Sequence, residues 1–196
     1  MIIDYSKSID RKQVVTTVTD WGDKLEIGML YFNNILLLTF LLVVPIYMLI
    51  SFYLANDMGA FILILGGAQI VFGFYLMHCL FHWKRLIKIE GVDMATNKEL
   101  ITQIVNGYYP QLNYEWDEEI LIGSRPYSYF NFKGGLTVVI MFKDEDIYIN
   151  ILSIYRAGPN PWMALTNVER AKEIGSIFKE RIWHWRNDTK RNVLDN

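Results

Sequence analysis

The sequence predicts an α+β membrane protein with an N-terminal two-helix transmembrane hairpin. A cytosolic domain follows the hairpin. It consists of a helix, an antiparallel meander of three or four strands, and a second helix. Residues 29–55 and 60–81 form two apolar runs, each as long as the roughly 20 residues that a helix needs to cross a bilayer. The chain from residue 84 has an ordinary mixed composition with alternating apolar segments. We therefore expect a cytosolic N-terminal segment that can dock as a strand (1–28), a hairpin (29–83) and a cytosolic domain (84–196).

Charge is distributed very unevenly along the chain. Of the 196 residues, 52% are hydrophobic and 20% are charged, and Asp57 is the only ionised side chain between Glu26 and Lys84. From Lys84 onward, fifteen basic residues balance fifteen acidic ones. A nucleic-acid-binding protein carries a basic excess that neutralises phosphates, so we expect no nucleic-acid partner. The single cysteine excludes an intramolecular disulfide framework.

The two apolar runs have one alternative interpretation, as buried helices of a soluble core. Such helices seldom exceed about 14 uninterrupted apolar residues, which favours membrane spans. Basic residues precede the first run and follow the second, whereas the connecting residues 56–59 contain none. The positive-inside bias therefore predicts a two-pass protein of the cytoplasmic (inner) membrane, in contact with the lipid bilayer and with both termini in the cytoplasm.

Glycines recur every seven residues in the second run, at Gly59, Gly66 and Gly73. Small residues on one helix face allow close backbone approach between helices in lipid. Two interpretations stay open: this face packs on the first helix of the same hairpin, or it mediates homo-oligomerisation. Either another copy of the chain or a different membrane protein is the expected partner.

The domain has two helix-start signals of the capping-box type, at residues 96–99 and 166–169. The intervening apolar segments predict strands, at residues 118–124, 127–132, 136–142 and 147–155. Helices cover one face of this sheet, yet the third strand is apolar on both faces. The second face therefore needs a cover: the β-prone N-terminal segment, a second subunit or the membrane surface.

Motifs for catalysis or cofactor binding are not found in the sequence. It contains no phosphate-binding glycine loop and no nucleophile elbow, so we expect a non-enzymatic protein without a cofactor. His78 and His82 share one helix face and could hold a metal or haem. Because they adjoin Trp83, Lys84 and Arg85, we interpret them as the interfacial end of a span rather than as ligands.

Two irregular segments are the best candidates for binding a ligand or partner. Arg156 and Trp162 lie in the loop "RAGPNPW", and Arg125 lies in another predicted turn beside a proline. Arginine forks with nearby aromatic rings can recognise phosphate or carboxylate groups. The alternative is a rigid connector in which Trp162 fills a place in the core.

These observations lead to three functional hypotheses. The first is an accessory or assembly subunit of a membrane complex, whose cytosolic domain binds a partner or ligand. The second is a ligand-gated membrane effector or sensor that oligomerises through its hairpin. A more distant third is an immunity protein that neutralises a membrane toxin.

Overall fold

The computed structural model describes residues 2–17, 21–55, 59–126, 134–155 and 158–194. The chain forms two compact units: Met1–Thr16 together with Trp83–Asn196, and Thr17–His82. We call the first unit the sheet domain and the second the helical hairpin. The α+β composition expected from the sequence is confirmed: two long apolar helices are followed by a helix, an antiparallel sheet and a C-terminal helix.

The helical hairpin consists of α2 (Trp21–Leu54) and α3 (Ala60–His82). Phe32–Leu54 and Ala60–His82 are each long and apolar enough to cross a membrane. In a soluble protein such helices would form the core, yet only 11% of the apolar window of the first and 17% of that of the second is buried. Pro45 lies inside α2, a position that spans tolerate when neighbours satisfy the freed carbonyl.

The sheet domain is built on one antiparallel sheet. Its strands are β3 (Ile87–Glu90), β4 (Asn113–Asp117), β5 (Ile120–Arg125), β6 (Gly135–Lys143) and β7 (Asp146–Tyr155). They are ordered β3-β7-β6-β5-β4, and the short β8 (Gly158–Pro159) pairs with the end of β7. Residues 135–142 of β6 are all buried, and their β-branched side chains suit a central strand covered on both faces.

The prediction of three or four strands was incomplete. The structure adds β3 before the first helix of the domain and β4 after it. Both strands lie at sheet edges, where polar side chains are solvated and apolar alternation is weak. The strand predicted at 127–132 lies outside the described residues.

Two helices cover one face of the sheet, α4 (Met94–Tyr108) and α5 (Ala164–Leu194), which follows a 3-10 turn at Pro161–Met163. The predicted helix start at Thr96 was wrong. Asp93 is the N-cap of α4, and its carboxylate accepts a hydrogen bond from the Thr96 N–H. The second predicted start was also late, since α5 already begins at Ala164.

The N-terminal residues cover the other face of the sheet. They form β1 (Ile2–Ile3), α1 (Tyr5–Arg11) and β2 (Thr16–Thr17), and β1 pairs with β2. Their buried side chains pack against β5, β6 and β7 in one apolar cluster, which contains Ile3, Ile9, Val14, Leu86, Ile120, Val139, Met141 and Tyr148. Of the three covers considered from the sequence, the chain's own N-terminus occupies this face.

Candidate binding surface

The two ends of the sheet differ in composition and position. We call the root end the one that contains Trp83, Arg85, Arg125 and Ser153, because the chain continues from it into the hairpin. The far end contains Glu90 and the turns after β4 and β6. Strand register fixes this division: Arg125 lies opposite Leu136, which lies opposite Ser153, while Glu90 lies opposite Asp146.

Backbone hydrogen bonds close the root end around both chain segments that lead to the hairpin. The Val14 N–H donates to the Lys84 carbonyl (2.8 Å), and the Leu86 N–H donates to the Lys12 carbonyl (3.0 Å). The Asn150 Nδ2 group of β7 donates to the carbonyls of Trp83 (3.2 Å) and Arg85 (2.8 Å). We call this arrangement the root clamp, because it holds residues before α2 and after α3 side by side.

Four basic side chains lie at the root end among the described residues. Lys12, Lys84, Arg85 and Arg125 lie there. The Lys84 ammonium lies 4.7 Å from the centroid of the Trp83 ring, and burial lowers the pKa of Lys84 from its usual value. Aromatic and basic side chains of this kind are typical of a protein surface beside lipid headgroups.

Arg125 and the turn that carries Trp162 lie at this same end of the sheet. Arg125 Nη2 donates to the Gly134 carbonyl (2.9 Å), so the guanidinium joins the end of β5 to the residue before β6. The Trp162 N–H donates to Asn160 Oδ1 (3.1 Å), and the side chain is 37% exposed. Trp162 therefore does not fill a buried place in the core. Arg156 lies outside the described residues.

The far end is acidic. Its turn residues Glu118 and Asp144 adopt left-handed conformations. Strand pairing brings the following carboxylates to this end: Glu90, Asp93, Asp117, Glu118, Glu119, Asp144, Glu145 and Asp146. Lys88 neutralises Asp146 in an ion pair of 2.7 Å. A domain with one basic end and one acidic end has a charge asymmetry along the strand direction.

A cleft opens beside the far end, between the end of β3 and helix α5. Its volume is about 300 Å³, and Glu90, Gly91, Lys179, Ile182 and Trp183 line it. This volume lies at the lower limit of small-molecule sites. The cleft therefore offers an indole face together with one carboxylate and one ammonium group.

Exposed tryptophans distinguish the surface of the sheet domain. The large hydrophobic side chains that are exposed among its described residues are Trp116 (47%), Trp162 (37%), Trp183 (62%) and Trp185 (43%). Trp116 is held in place by stacking on Phe142 at 5.7 Å and by the Lys98 ammonium 5.2 Å from its ring.

The glycines of α3 face two different environments. A Cβ atom at Gly73 would lie 2.5 Å from Leu42 Cδ2, and one at Gly66 would lie 3.1 Å from Leu49 Cδ2. At Gly59 nothing lies within 4 Å. Gly66 and Gly73 thus contact α2 of the same hairpin, so this contact uses the close approach that glycine permits.

His78 and His82 lie near the end of α3, with ring centroids 4.1 Å apart. One ring nitrogen of His82, Nδ1, lies 2.8 Å from the His78 carbonyl. In the described chain no group of three metal-ligating side chains is assembled. Two imidazoles from adjacent turns provide fewer ligands than a zinc site requires.

Two buried amide side chains in the sheet domain have structural partners. Asn97 in α4 accepts from the Val92 N–H (2.9 Å) and donates to the Glu145 carbonyl (3.0 Å). Asn167 in α5 donates to Ser153 Oγ (3.0 Å). Asn97 joins α4 to the segment after β3 and to the β6–β7 turn, and Asn167 joins α5 to β7. No pattern in the sequence distinguishes these amides from surface residues.

The chain matches no protein-family model, no curated protein and no solved structure. We therefore infer a function from the surfaces described above. The sequence pointed to Arg125, Arg156 and Trp162 but not to Trp116, Trp183 or Lys179, since side-chain exposure depends on which helix face the fold buries.

Proposed function

We propose that this chain is a non-enzymatic accessory subunit of a membrane complex, anchored by its hairpin and binding a partner protein through its cytosolic sheet domain. The observation that carries the proposal is the set of exposed tryptophans on a domain whose two sheet faces are otherwise covered. Tryptophan is among the residues most enriched at the energetic centres of protein interfaces.

Anchoring in the bilayer is supported by the exposed apolar surface of α2 and α3. Side chains such as Phe61 (75%), Ile64 (72%) and Val71 (70%) are largely uncovered. At about 25 cal/mol per Å² of apolar area, two helices of this length would be strongly disfavoured in water. Lipid satisfies this surface without any further protein.

The proposed sidedness of the protein is supported by the chain's connectivity. Met1–Thr16 and Trp83–Asn196 fold into one unit, so both ends of the hairpin return to the same side of the membrane. This requirement supports an even number of crossings, independently of charge. The basic root end favours the cytoplasmic side of the inner membrane, where it faces anionic headgroups.

The sidedness is tested with single cysteines and a membrane-impermeant thiol reagent in intact cells, in a Cys79→Ser background. A cysteine in the 56–59 connection is expected to react, and one at exposed Ser176 is expected to react only after lysis. Reaction of both in intact cells would place the domain outside the cytoplasm and refute this part of the proposal.

Partner binding is tested with a photo-crosslinking residue in place of Trp183, in native membranes. The matched control carries the same residue at Ser176, which is exposed on the same helix. A defined protein crosslinked from position 183 and not from 176 supports the proposal. Equal labelling from both positions, or none from 183, 116 and 162 in turn, contradicts it.

The ligand-gated effector is the second candidate, and the cleft between β3 and α5 is the observation in its favour. In that case, small-molecule binding to the sheet domain would change the root clamp and thereby the hairpin. Dye leakage from cells that overproduce the protein would favour the effector, whereas intact membranes would favour the subunit.

A further inference from the structure

Gln69 is a polar residue in the middle of an apolar helix. The span Ala60–His82 has its midpoint at residue 71, and with a rise of about 1.5 Å per residue Gln69 lies roughly 3 Å from that depth. If the proposed anchoring holds, on which this inference rests, the Gln69 amide lies near the centre of the bilayer. Water and headgroups are about 15 Å away on either side.

The hairpin itself does not satisfy this amide. The hydroxyl of Thr39 donates to the Ile35 carbonyl (2.9 Å), which satisfies that group within its own helix. By contrast, the Gln69 side chain forms no hydrogen bond with any residue that the structure describes. An amide in hydrocarbon without a partner is unfavourable by several kcal/mol, so a partner from outside the hairpin is strongly favoured.

The residues around Gln69 form an apolar seam that borders the contact with α2, because Gln69 lies one helical turn from both Gly66 and Gly73. Ile62, Leu65, Gln69 and Phe72 follow heptad spacing, in which alternate steps of three and four residues lie on one face. Leu65 is 50% exposed and Phe72 is 43% exposed, while Ile62 and Gln69 are partly covered. One polar residue within an apolar seam is a known device for fixing helix register.

We propose that Gln69 joins two copies of this chain, by reciprocal amide hydrogen bonds between their α3 helices. Two copies inserted with the same orientation place residue 69 at the same depth, so a two-fold axis along the membrane normal brings the two amides together. A primary amide is both donor and acceptor, and a second copy therefore satisfies each group with its equivalent. Gln69 lies one helical turn from both Gly66 and Gly73, which contact α2, so the second copy contacts α3 along the adjoining edge that carries Leu65 and Phe72.

The proposal is tested by disulfide crosslinking in native membranes, with Cys79 replaced by serine. Leu65→Cys is expected to give a disulfide-linked dimer of the chain. Val71→Cys, which is 70% exposed but lies on the opposite side of α3, is the matched control and is expected to stay monomeric. Alkaline extraction of the same membranes verifies insertion, so that a failure of anchoring is distinguished from a failure to dimerise.

The role of the amide is tested by Gln69→Leu and Gln69→Asn in the Leu65→Cys background. Removing the amide is expected to weaken dimerisation by roughly 3- to 20-fold, whereas Gln69→Asn retains part of the crosslink. The proposal is overturned if Gln69→Leu crosslinks as well as the parent, or if an inserted Leu65→Cys protein stays monomeric. Crosslinking of Leu65→Cys to a different protein would also overturn it, since the partner would then not be a second copy.

Discussion

The helical hairpin and the sheet domain use the same apolar residue types in opposite ways. In the sheet domain, β-branched and aromatic side chains are buried, and Val138, Val139 and Ile140 are completely inaccessible. In the hairpin, comparable side chains such as Ile64 and Val71 are more than two-thirds exposed. The buried positions of α3 are instead occupied by small or medium residues: Gly66, Gly73, Leu76 and Cys79.

This contrast agrees with the proposed anchoring, in which the sheet domain lies in water and the hairpin in lipid. Water drives large apolar side chains inward, so the sheet domain has a dense core. Lipid gives no such driving force between helices, and association then depends on close backbone approach at small residues. Substitutions whose effects differ between water and lipid test whether the two units lie in these two environments.

The largest effect is expected for Val139→Asp in the sheet domain. The carboxylate would be buried between the sheet and the N-terminal segment without a charge partner, and we expect a loss of roughly 4 kcal/mol of folding free energy or more. Protease resistance and chemical unfolding of the full chain in mild detergent measure this loss. Ser124→Asp, at an exposed position of the neighbouring strand, is the control and should unfold like the parent.

The same change in the hairpin, Val71→Asp, should act on insertion rather than on folding of the sheet domain. An aspartate at the centre of a span disfavours insertion by about 3 kcal/mol, so the fraction resistant to alkaline extraction should fall. At a water-facing helix position the substitution would be nearly neutral. Unchanged extraction would therefore show that this face of α3 is not in lipid.

The helix contact is tested by Gly73→Ile and Gly67→Ile as a matched pair. Isoleucine at 73 would collide with Leu42, and we expect a loss of roughly 1–3 kcal/mol in hairpin stability. Nothing lies within 4 Å of a Cβ atom at Gly67, so its variant should be unaffected. Hydrogen exchange of the α3 amides in detergent gives the comparison, and equal protection of the two variants would refute the contact.

The smallest effect is expected for Tyr114→Phe in the sheet domain. The Tyr114 hydroxyl lies 3.1 Å from the carbonyls of Val105 and Tyr109 and donates to them, so its removal should reduce stability by about 1 kcal/mol. Unfolding at neutral pH measures this difference, and a variant as stable as the parent would contradict the assignment.

The contribution of Tyr114 should also depend on pH. Burial raises the pKa of Tyr114 to about 12 from 10.0. Because the folded-state pKa is the higher one, the stabilisation is fully present below pH 10 and is lost as the pH rises through 12. The stability difference between parent and Tyr114→Phe should therefore shrink over that interval.

Much of the fold can be predicted from the sequence, because the apolar patterns that indicate its main helices and strands are long and unambiguous. The apolar runs, the buried strands β6 and β7 and the C-terminal helix all coincide closely with observed elements. The edge strands were missed for a physical reason. In β3, Lys88 and Glu90 alternate with isoleucines directly after the interfacial residues, and β4 carries Asn113, Glu115 and Asp117, which resemble a loop.

The candidate surface was less predictable than the fold. Trp183 is adjacent to Ile182, and only the packing of α5 decides that one is exposed at 62% and the other buried. Likewise, the turns at Glu118 and Asp144 lack the glycine or asparagine typical of tight hairpins. The acidic segments therefore resembled solvated loops rather than the ends of paired strands.

The root clamp has a consequence for biosynthesis. Val14 is made about 70 residues before its hydrogen-bond partner Lys84, and the strands that it covers are made later still. Closing so long a loop is slow. In the proposed topology, the second face of the sheet therefore stays uncovered until the hairpin has been inserted and the chain has returned to the starting side of the membrane. A nascent chain that crossed the bilayer only once could not complete this face, and quality-control proteases would find it unprotected. The N-terminal sixteen residues thereby make correct topology a condition for completing the fold.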